Sequence, residues 1–338
     1  MADNNQLSFG DGLLSGRSKT SKLSKHLQQL DQIVDWHPLV EAISVIDKTS
    51  SKTGGRPRKN PLWMLKATFL QGLFSLSDPQ LEDQLIDRLS FQRFVGINLD
   101  QEIPDFTTFW RFKEALSSHN LDKKIFELIN DQLEDRGLMI KKGTIVDATI
   151  LPSANRPLSE EKRRELQEES TSQIDTDAKA TKKGGRYYFG YKGHIGVDIE
   201  SKLIRKATFT PAHRHDSTQT KKLISYDEKS LFGDKAYFNG DHQFSARHYG
   251  WYYGVLGKAK RGQPLSSSQK KRNRKLSRVR SAVEHPFAWM KTKANLVALR
   301  AKTKARNRLR FTFACVGWNL SRAEFLIRKS RSVGSVAL

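Results

Sequence analysis

The chain has 338 residues, enough for two domains with a sizeable core, and 59 Lys and Arg against 36 Asp and Glu give it a formal charge of +23. A surplus that large, spread along the whole chain, calls for a polyanionic partner and supplies affinity without sequence specificity. A single cysteine, Cys315 in the run F-T-F-A-C-V-G-W, excludes a disulfide framework or a cysteine-based zinc site within one chain; without a signal-peptide core or an apolar run of spanning length, the expectation is a cytoplasmic protein with no membrane segment.

Residues 1–20 are polar with scattered Gly and Ser, and read as a mobile arm. From Leu23 the apolar positions Leu27, Leu30, Ile33 and Val34 recur at helical spacing as far as Trp36. The segment K-T-S-S-K-T-G-G-R-P-R-K-N-P breaks every regular pattern; its Arg56 and Arg58 have the look of a minor-groove insert, although a basic turn before a helix is the favoured reading and both could hold. Helices are expected over Leu62–Leu76, from Ser77-Asp78-Pro79, from Asp105 through Leu116, and over Leu121–Arg136 with Gly137 as the stop, so that residues 21–137 form an all-helical domain.

After Gly137 the pattern changes to short strands: Thr144–Ile150, Tyr191–Val197, Leu203–Phe209, Leu231–Gly233 and Trp251–Leu256. With helices expected near Ser217–Ser225 and Gly240–His248, residues 138–330 read as an α/β domain. A polar insertion, 156–186, has almost no large apolar residue between Leu158 and Lys183 and is expected to be a loop or a solvated, partly ordered helix. The dense cationic run 258–277 is expected to be a basic loop that holds phosphates, and Phe311–Ile327 an apolar helix that closes the core.

Three acids carry the candidate chemistry. Asp147 in G-T-I-V-D-A-T-I and Asp234 in S-L-F-G-D-K-A-Y each follow a short apolar strand, which puts a carboxylate at the strand end. Glu284 lies in R-x3-E-x6-K; on an uninterrupted helix Arg280, Glu284 and Lys291 fall within roughly 40° of one another, one anion between two cations. Hard oxygen ligands on rigid elements are what a two-metal phosphoryl-transfer site needs, and the three carboxylates are expected to converge. Arg280 and Lys291 would then hold phosphates. Lys192 and His194 alternate on a strand and point the same way, either toward a substrate strand or as a satisfied pair at the core edge. In H-R-H-D, Asp216 reads as a helix N-cap rather than a metal ligand, and Trp251, Trp289 and Trp318 read as core residues.

These residues sit in blocks that resemble the DDE transposases of bacterial insertion sequences, most closely the insertion-sequence-five family: V-D-A-T-I, G-D-K-A-Y and R-x3-E-x6-K, with Y-F-G-Y-K-G-H-I-G-V-D from Tyr188 and P-D-F-T-T-F-W-R-F from Pro104. The resemblance runs from about Gly54 to the last helix. It departs at Ser277, where many relatives carry a tyrosine three residues before the arginine. It implies a ribonuclease-H-like catalytic domain behind the helical domain, and metal-dependent phosphodiester hydrolysis and strand transfer at the ends of an element. Asp147, Asp234 and Glu284 would hold two Mg²⁺ ions, with Mn²⁺ as substitute. Arg280, Lys291, Lys192, His194, Arg56 and Arg58 would contact DNA. The implied partners are double-stranded DNA, as terminal inverted repeats and target, and further copies of the chain in a dimer or higher oligomer at the nucleoid. The rival reading, a non-catalytic DNA-binding relative, leaves three intact acids without a purpose.

Overall fold

The computed structural model describes residues 21–48, 58–155, 175–225, 227–259 and 262–334, with isolated positions between 157 and 165. The mobile arm expected over 1–20 and the contact expected of Arg56 lie outside the described residues. The chain divides into two compact units between Gln132 and Leu133.

The first unit is helical among its described residues. Its helices are α1 (Lys22–Ile33), α2 (His37–Ile43), α3 (Val45–Lys48), α4 (Pro61–Phe74), α5 (Asp78–Asp87), α6 (Leu89–Val95), α7 (Phe106–Ser118) and α8 (Leu121–Asp135), within which the division falls. Side-chain caps set the starts: Ser77 and Gln80 form a reciprocal capping box on α5, and the Asp105 carboxylate accepts from the Thr108 N–H on α7. Left-handed residues set the stops, Ser75 at φ 56° after α4 and Gly96 at φ 90° after α6. One buried cation is accounted for locally. Lys66 lies 2.6 Å from Asp31 and about 5 Å from the ring centres of Trp36 and Phe94, so its charge is paired as well as packed.

The second unit is a six-stranded mixed sheet with helices. Its strands are β1 (Thr144–Pro152), β2 (Lys179–Lys183), β3 (Arg186–Asp198), β4 (Ile204–Pro211), β5 (Ser230–Gly233) and β6 (Tyr252–Val255), in the order β2-β3-β1-β5-β6 with β4 also paired to β3. β1 runs antiparallel to β3 and parallel to β5, and β5 parallel to β6. Between them lie α9 (Thr220–Leu223), after a 3-10 turn at Asp216–Gln219, and α10 (Gly240–His248). The long α13 (Lys304–Gly334) packs on the sheet. A Cβ on Gly193 would meet the Phe311 ring at 2.3 Å, so glycine there is what lets the helix approach β3. The Asn319 amide clamps β4 by accepting from Ile204 N–H at 2.7 Å and donating to its carbonyl at 2.8 Å. Cys315 is buried in the same helix.

Two expectations change here. Within the insertion 156–186, residues 179–186 are not loop: β2 and the start of β3 pair from Lys179↔Gly190 to Lys183↔Arg186, around Gly184 and Gly185 at φ 58° and 80°. Two consecutive left-handed glycines are the turn that the right-handed twist of a hairpin favours, which outweighs the polar composition. Most of 156–174 lies outside the described residues. The stretch 258–277 is helical from Ser267: α11 (Ser267–Arg280) starts at a capping box between Ser266 and Gln269 and runs through Lys and Arg, which are good helix formers. A 3-10 turn at Ser281–Val283 and α12 (Glu284–Thr292) follow.

Candidate active site

The register of β1 and β5 builds the centre of the site. Val146 pairs with Gly233 in a parallel ladder, which sets the following residues, Asp147 and Asp234, side by side. Asp147 is not at a strand end as expected. β1 continues to Pro152 on its pairing with β3, and Asp147 sits where β5 stops. Asp234 leaves β5 and caps the next 3-10 turn, its carboxylate accepting from the Lys235 N–H at 2.6 Å. One Asp147 oxygen accepts from the Ala148 N–H at 2.9 Å, and the other from the Arg280 guanidinium at 3.1 Å. Burial pushes the Asp147 carboxyl above the usual carboxylate range; Arg280 opposes the rise and the neighbouring charge of Asp234 adds to it. Arg280 is thus the counter-cation of a half-buried acid pair, and its Nε is buried with no partner among the described residues.

Glu284 and Lys291 are placed differently. Among the described residues no three of His, Cys, Asp and Glu are grouped closely enough to hold one metal ion, so the expected convergence of Asp147, Asp234 and Glu284 is not seen. The cause is local. Pro286 has no N–H and its ring crowds the carbonyl four residues back, so a continuous α-helix through Arg280 and Glu284 is disfavoured. The chain passes through the 3-10 turn at Ser281–Val283 and restarts at Glu284, with Pro286 tolerated in the first turn of α12. The 3-10 turn winds at about three residues per turn instead of 3.6, which rotates Glu284 and Lys291 away from the Arg280 face: Arg280 reaches Asp147, while Glu284 and Lys291 are exposed on α12.

Lys192 and His194 do share a face of β3, but both are occupied. The Lys192 ammonium donates to the Asp216 carboxylate at 2.8 Å and to the Arg214 carbonyl at 2.9 Å. His194 is 0% exposed, and its Nε2 bonds Thr210 Oγ1 at 2.9 Å. Burial lowers its pKa to about 4, so the ring is neutral near pH 7. In this arrangement His194 is the core-edge residue and offers nothing to a DNA strand. Asp216 is not the N-cap either; His215 takes that place, accepting from the Ser217 N–H, and frees Asp216 for Lys192. Arg58, exposed in the first unit, lines a cavity of about 360 Å³ with Arg111, Phe112 and Met64. Trp318 is core, donating to the Lys202 carbonyl at 2.8 Å and edge-on to Trp289. The residue that the sequence reading passed over is Tyr237. It is 1% exposed, and its hydroxyl has no hydrogen-bond partner among the described residues, with Asp216, Asp147, Asp234 and Arg280 as its charged neighbours. Its place in G-D-K-A-Y, three residues after an acid, was the available signal.

Residues 139–320 match the transposase DDE domain family, and residues 17–115 match a second transposase domain, DUF772. The chain belongs to the DDE transposases. It is accordingly a DNA transposase, an enzyme of DNA strand cleavage and transfer, and membership of the family implies dependence on a divalent metal. A solved structure, the cryo-EM structure of piggyBac transposase synaptic complex with hairpin DNA, is similar at a TM-score of 0.48 and 10% identity, over 90% of this chain and 76% of that one. No described helix of the transposase is long and apolar enough to cross a membrane. Asp147 and Asp234 fit a hard divalent cation: both offer oxygen only, and the burial and mutual repulsion that disfavour their charges are opposed by the single guanidinium of Arg280.

Proposed function

We propose that this transposase is of the insertion-sequence-five kind, with a ribonuclease-H-like catalytic unit that cuts at terminal inverted repeats and joins the freed ends to target DNA at the nucleoid. The observation that carries the reading is the Val146↔Gly233 register, which brings two acids from adjacent parallel strands side by side, with Arg280 already on Asp147. Asp147 and Asp234 would provide oxygen ligands for two Mg²⁺ ions, with Mn²⁺ as substitute, and Glu284 would be the third ligand. Bound there, such ions would supply charge to offset that of the phosphate and leaving oxygen and would acidify the attacking water or 3′-hydroxyl. Arg280 exchanges Asp147 for a phosphate, which it grips with two parallel N–H bonds, and Lys291 binds a second phosphate as a point charge. Lys192 keeps Asp216 in place beside the acids, and His194 ties β3 to β4 through Thr210. Arg58, with Arg56 ahead of it, contacts end DNA from the helical unit, and a dimer or larger assembly pairs two ends.

The test is strand cleavage and joining of end DNA in Mg²⁺ or Mn²⁺. Chelator should abolish both steps. Glu284→Gln keeps size and hydrogen bonding but removes the anion, so end binding should survive while cleavage falls by several orders of magnitude. Cleavage by that variant at the unmodified rate would remove Glu284 from the site, and full activity in chelator would overturn the metal mechanism.

A further inference from the structure

Helix α11 has two faces of opposite character. At about 100° per residue, Arg272, Asn273, Leu276 and Arg280 fall within roughly 100° of one another. All four are engaged. Arg272 donates to the carbonyls of Tyr253 and Val255 at 2.8 and 3.2 Å, which caps the outer edge of β6. The Asn273 amide exchanges two bonds with the Gly257 backbone, at 3.0 and 3.1 Å, Leu276 is buried, and Arg280 reaches Asp147.

The other face carries Lys270, Lys271, Arg274, Lys275 and Arg278, which occupy roughly 140° of arc. All five are exposed, none has an ion-pair partner among the described residues, and the helix contains no acid. Lys270 and Arg274, Lys271 and Lys275, and Arg274 and Arg278 are like charges four residues apart, which repel along a helix. The latches on the opposite face hold this self-repelling stripe in place, and an anionic ligand would turn the repulsion into attraction.

We infer that this face of α11 is a phosphate-binding ridge for one strand of duplex DNA, and that the phosphates it binds adjoin the bond that is cut. The inference rests on the transposase reading of the Asp147 site, to which α11 is tied by Arg280. Lys270 to Arg278 spans about 12 Å at 1.5 Å per residue, and one strand offers a phosphate about every 3.4 Å of rise, so three to four phosphates lie alongside. The farthest cation is about 15 Å of helix from Arg280, which confines the contact to the first few nucleotides beyond the scissile phosphate. A ridge of this kind grips backbone and reads no bases.

The experiment measures binding of full-length protein to end duplexes across salt concentrations, without reading cleavage. Changing all five cations to glutamine should lower the salt slope by roughly three, at about 0.9 per phosphate contact, and weaken binding to all sequences alike. Lys221→Gln/Lys222→Gln/Lys229→Gln, which removes exposed charge elsewhere in the same unit, should change the slope by less than one. Methylphosphonates at the first four positions beyond the scissile phosphate should weaken the wild type and leave the five-fold variant indifferent. If that variant does not fold, Arg274→Gln alone should lower the slope by about one. An unchanged slope in either ridge variant, an equal loss in the control, or equal methylphosphonate sensitivity in wild type and variant would overturn the ridge, and would leave the cleavage chemistry standing.

Discussion

Adding Mg²⁺ to the DNA-free protein asks directly whether Asp147 and Asp234 form a cation site. In the metal-free state burial and the Asp234 charge both raise the Asp147 carboxyl, with Arg280 opposing them. Because the folded carboxyl holds its proton more tightly than the unfolded one, keeping Asp147 ionised costs stability as pH rises through that raised value. A divalent ion between the two acids offsets both unfavourable contributions. At a metal concentration a hundredfold above Kd, linkage supplies about 2.7 kcal/mol. The unit that holds the site, Leu133–Leu338, has roughly 200 residues, for which each kcal/mol moves Tm by about 2–4 °C, so a rise of about 5–11 °C is expected. Scanning calorimetry from zero to saturating Mg²⁺ or Mn²⁺ measures it, and the rise should shrink as acid returns the proton to Asp147. Asp234→Asn should keep or increase the metal-free Tm, since a repulsion is gone while the Arg280–Asp147 pair remains, and both Asp147→Asn and Asp234→Asn should lose the metal-induced rise. A rise of the same size in Asp147→Asn would refute the reasoning, because the ions would then be binding elsewhere.

Three further outcomes are expected. His194, buried near Lys192 and Asp216, has a folded pKa of about 4 against 6.5 when unperturbed, so its contribution is fully present above 6.5 and is lost as pH falls toward 4, a change of about 3 kcal/mol; urea unfolding of wild type and His194→Gln should show their stability gap narrowing between pH 7.5 and 5, and a constant gap would count against a neutral buried ring. Tyr237→Phe removes a buried hydroxyl that has no partner among the described residues, so its urea midpoint should stay level or rise by up to about 1 kcal/mol of stability; a loss above about 2 kcal/mol would reveal a partner. Gly193→Ala places a methyl 2.3 Å from the Phe311 ring and should destabilise by about 1–3 kcal/mol, and unaltered stability would mean that α13 moves freely off β3.

Much of this architecture was readable from residues with one strong local meaning. Ser77 with Gln80 and Asp105 mark helix starts, Gly137 at φ 68° marks a stop, and the apolar runs before Asp147 and Asp234 mark strands. What was not readable came from competition between levels. The alternation on β3 promised one solvated face at Lys192 and His194, but the strand lies between β1 and β4 and is buried on both faces from Tyr191 onward except at Lys192, so alternation no longer separates inside from outside. The run before Arg280 has no apolar period, which made it look like loop, although the S-x-x-Q signature at Ser266 and Gln269 was there to start a helix. Pro286 is visible in the sequence, but the spacing R-x3-E-x6-K does not show where the helix breaks. The break falls three to five residues upstream, between Arg280 and Glu284, because the proline ring clashes with a carbonyl one turn back.

The position of the site follows from unequal strand lengths. β5 has four residues and stops at Gly233, while β1 continues for six residues beyond the Val146↔Gly233 pair, to Pro152, because β3 still supplies its hydrogen bonds on the other side. Past that level one edge of β1 has lost its neighbour, and Asp147 is the first side chain after the loss. A longer β5 would have carried Asp234 farther along β1 and away from its partner acid, and a shorter β1 would have placed Asp147 on a free strand end with no backbone to fix it. Parallel pairing on one side and antiparallel pairing on the other is therefore what allows a rigid carboxylate and a turning carboxylate to meet, with the end of α11 delivering Arg280 to Asp147. The identity of the two acids can be read from the sequence, but their meeting depends on a ladder that joins segments 87 positions apart.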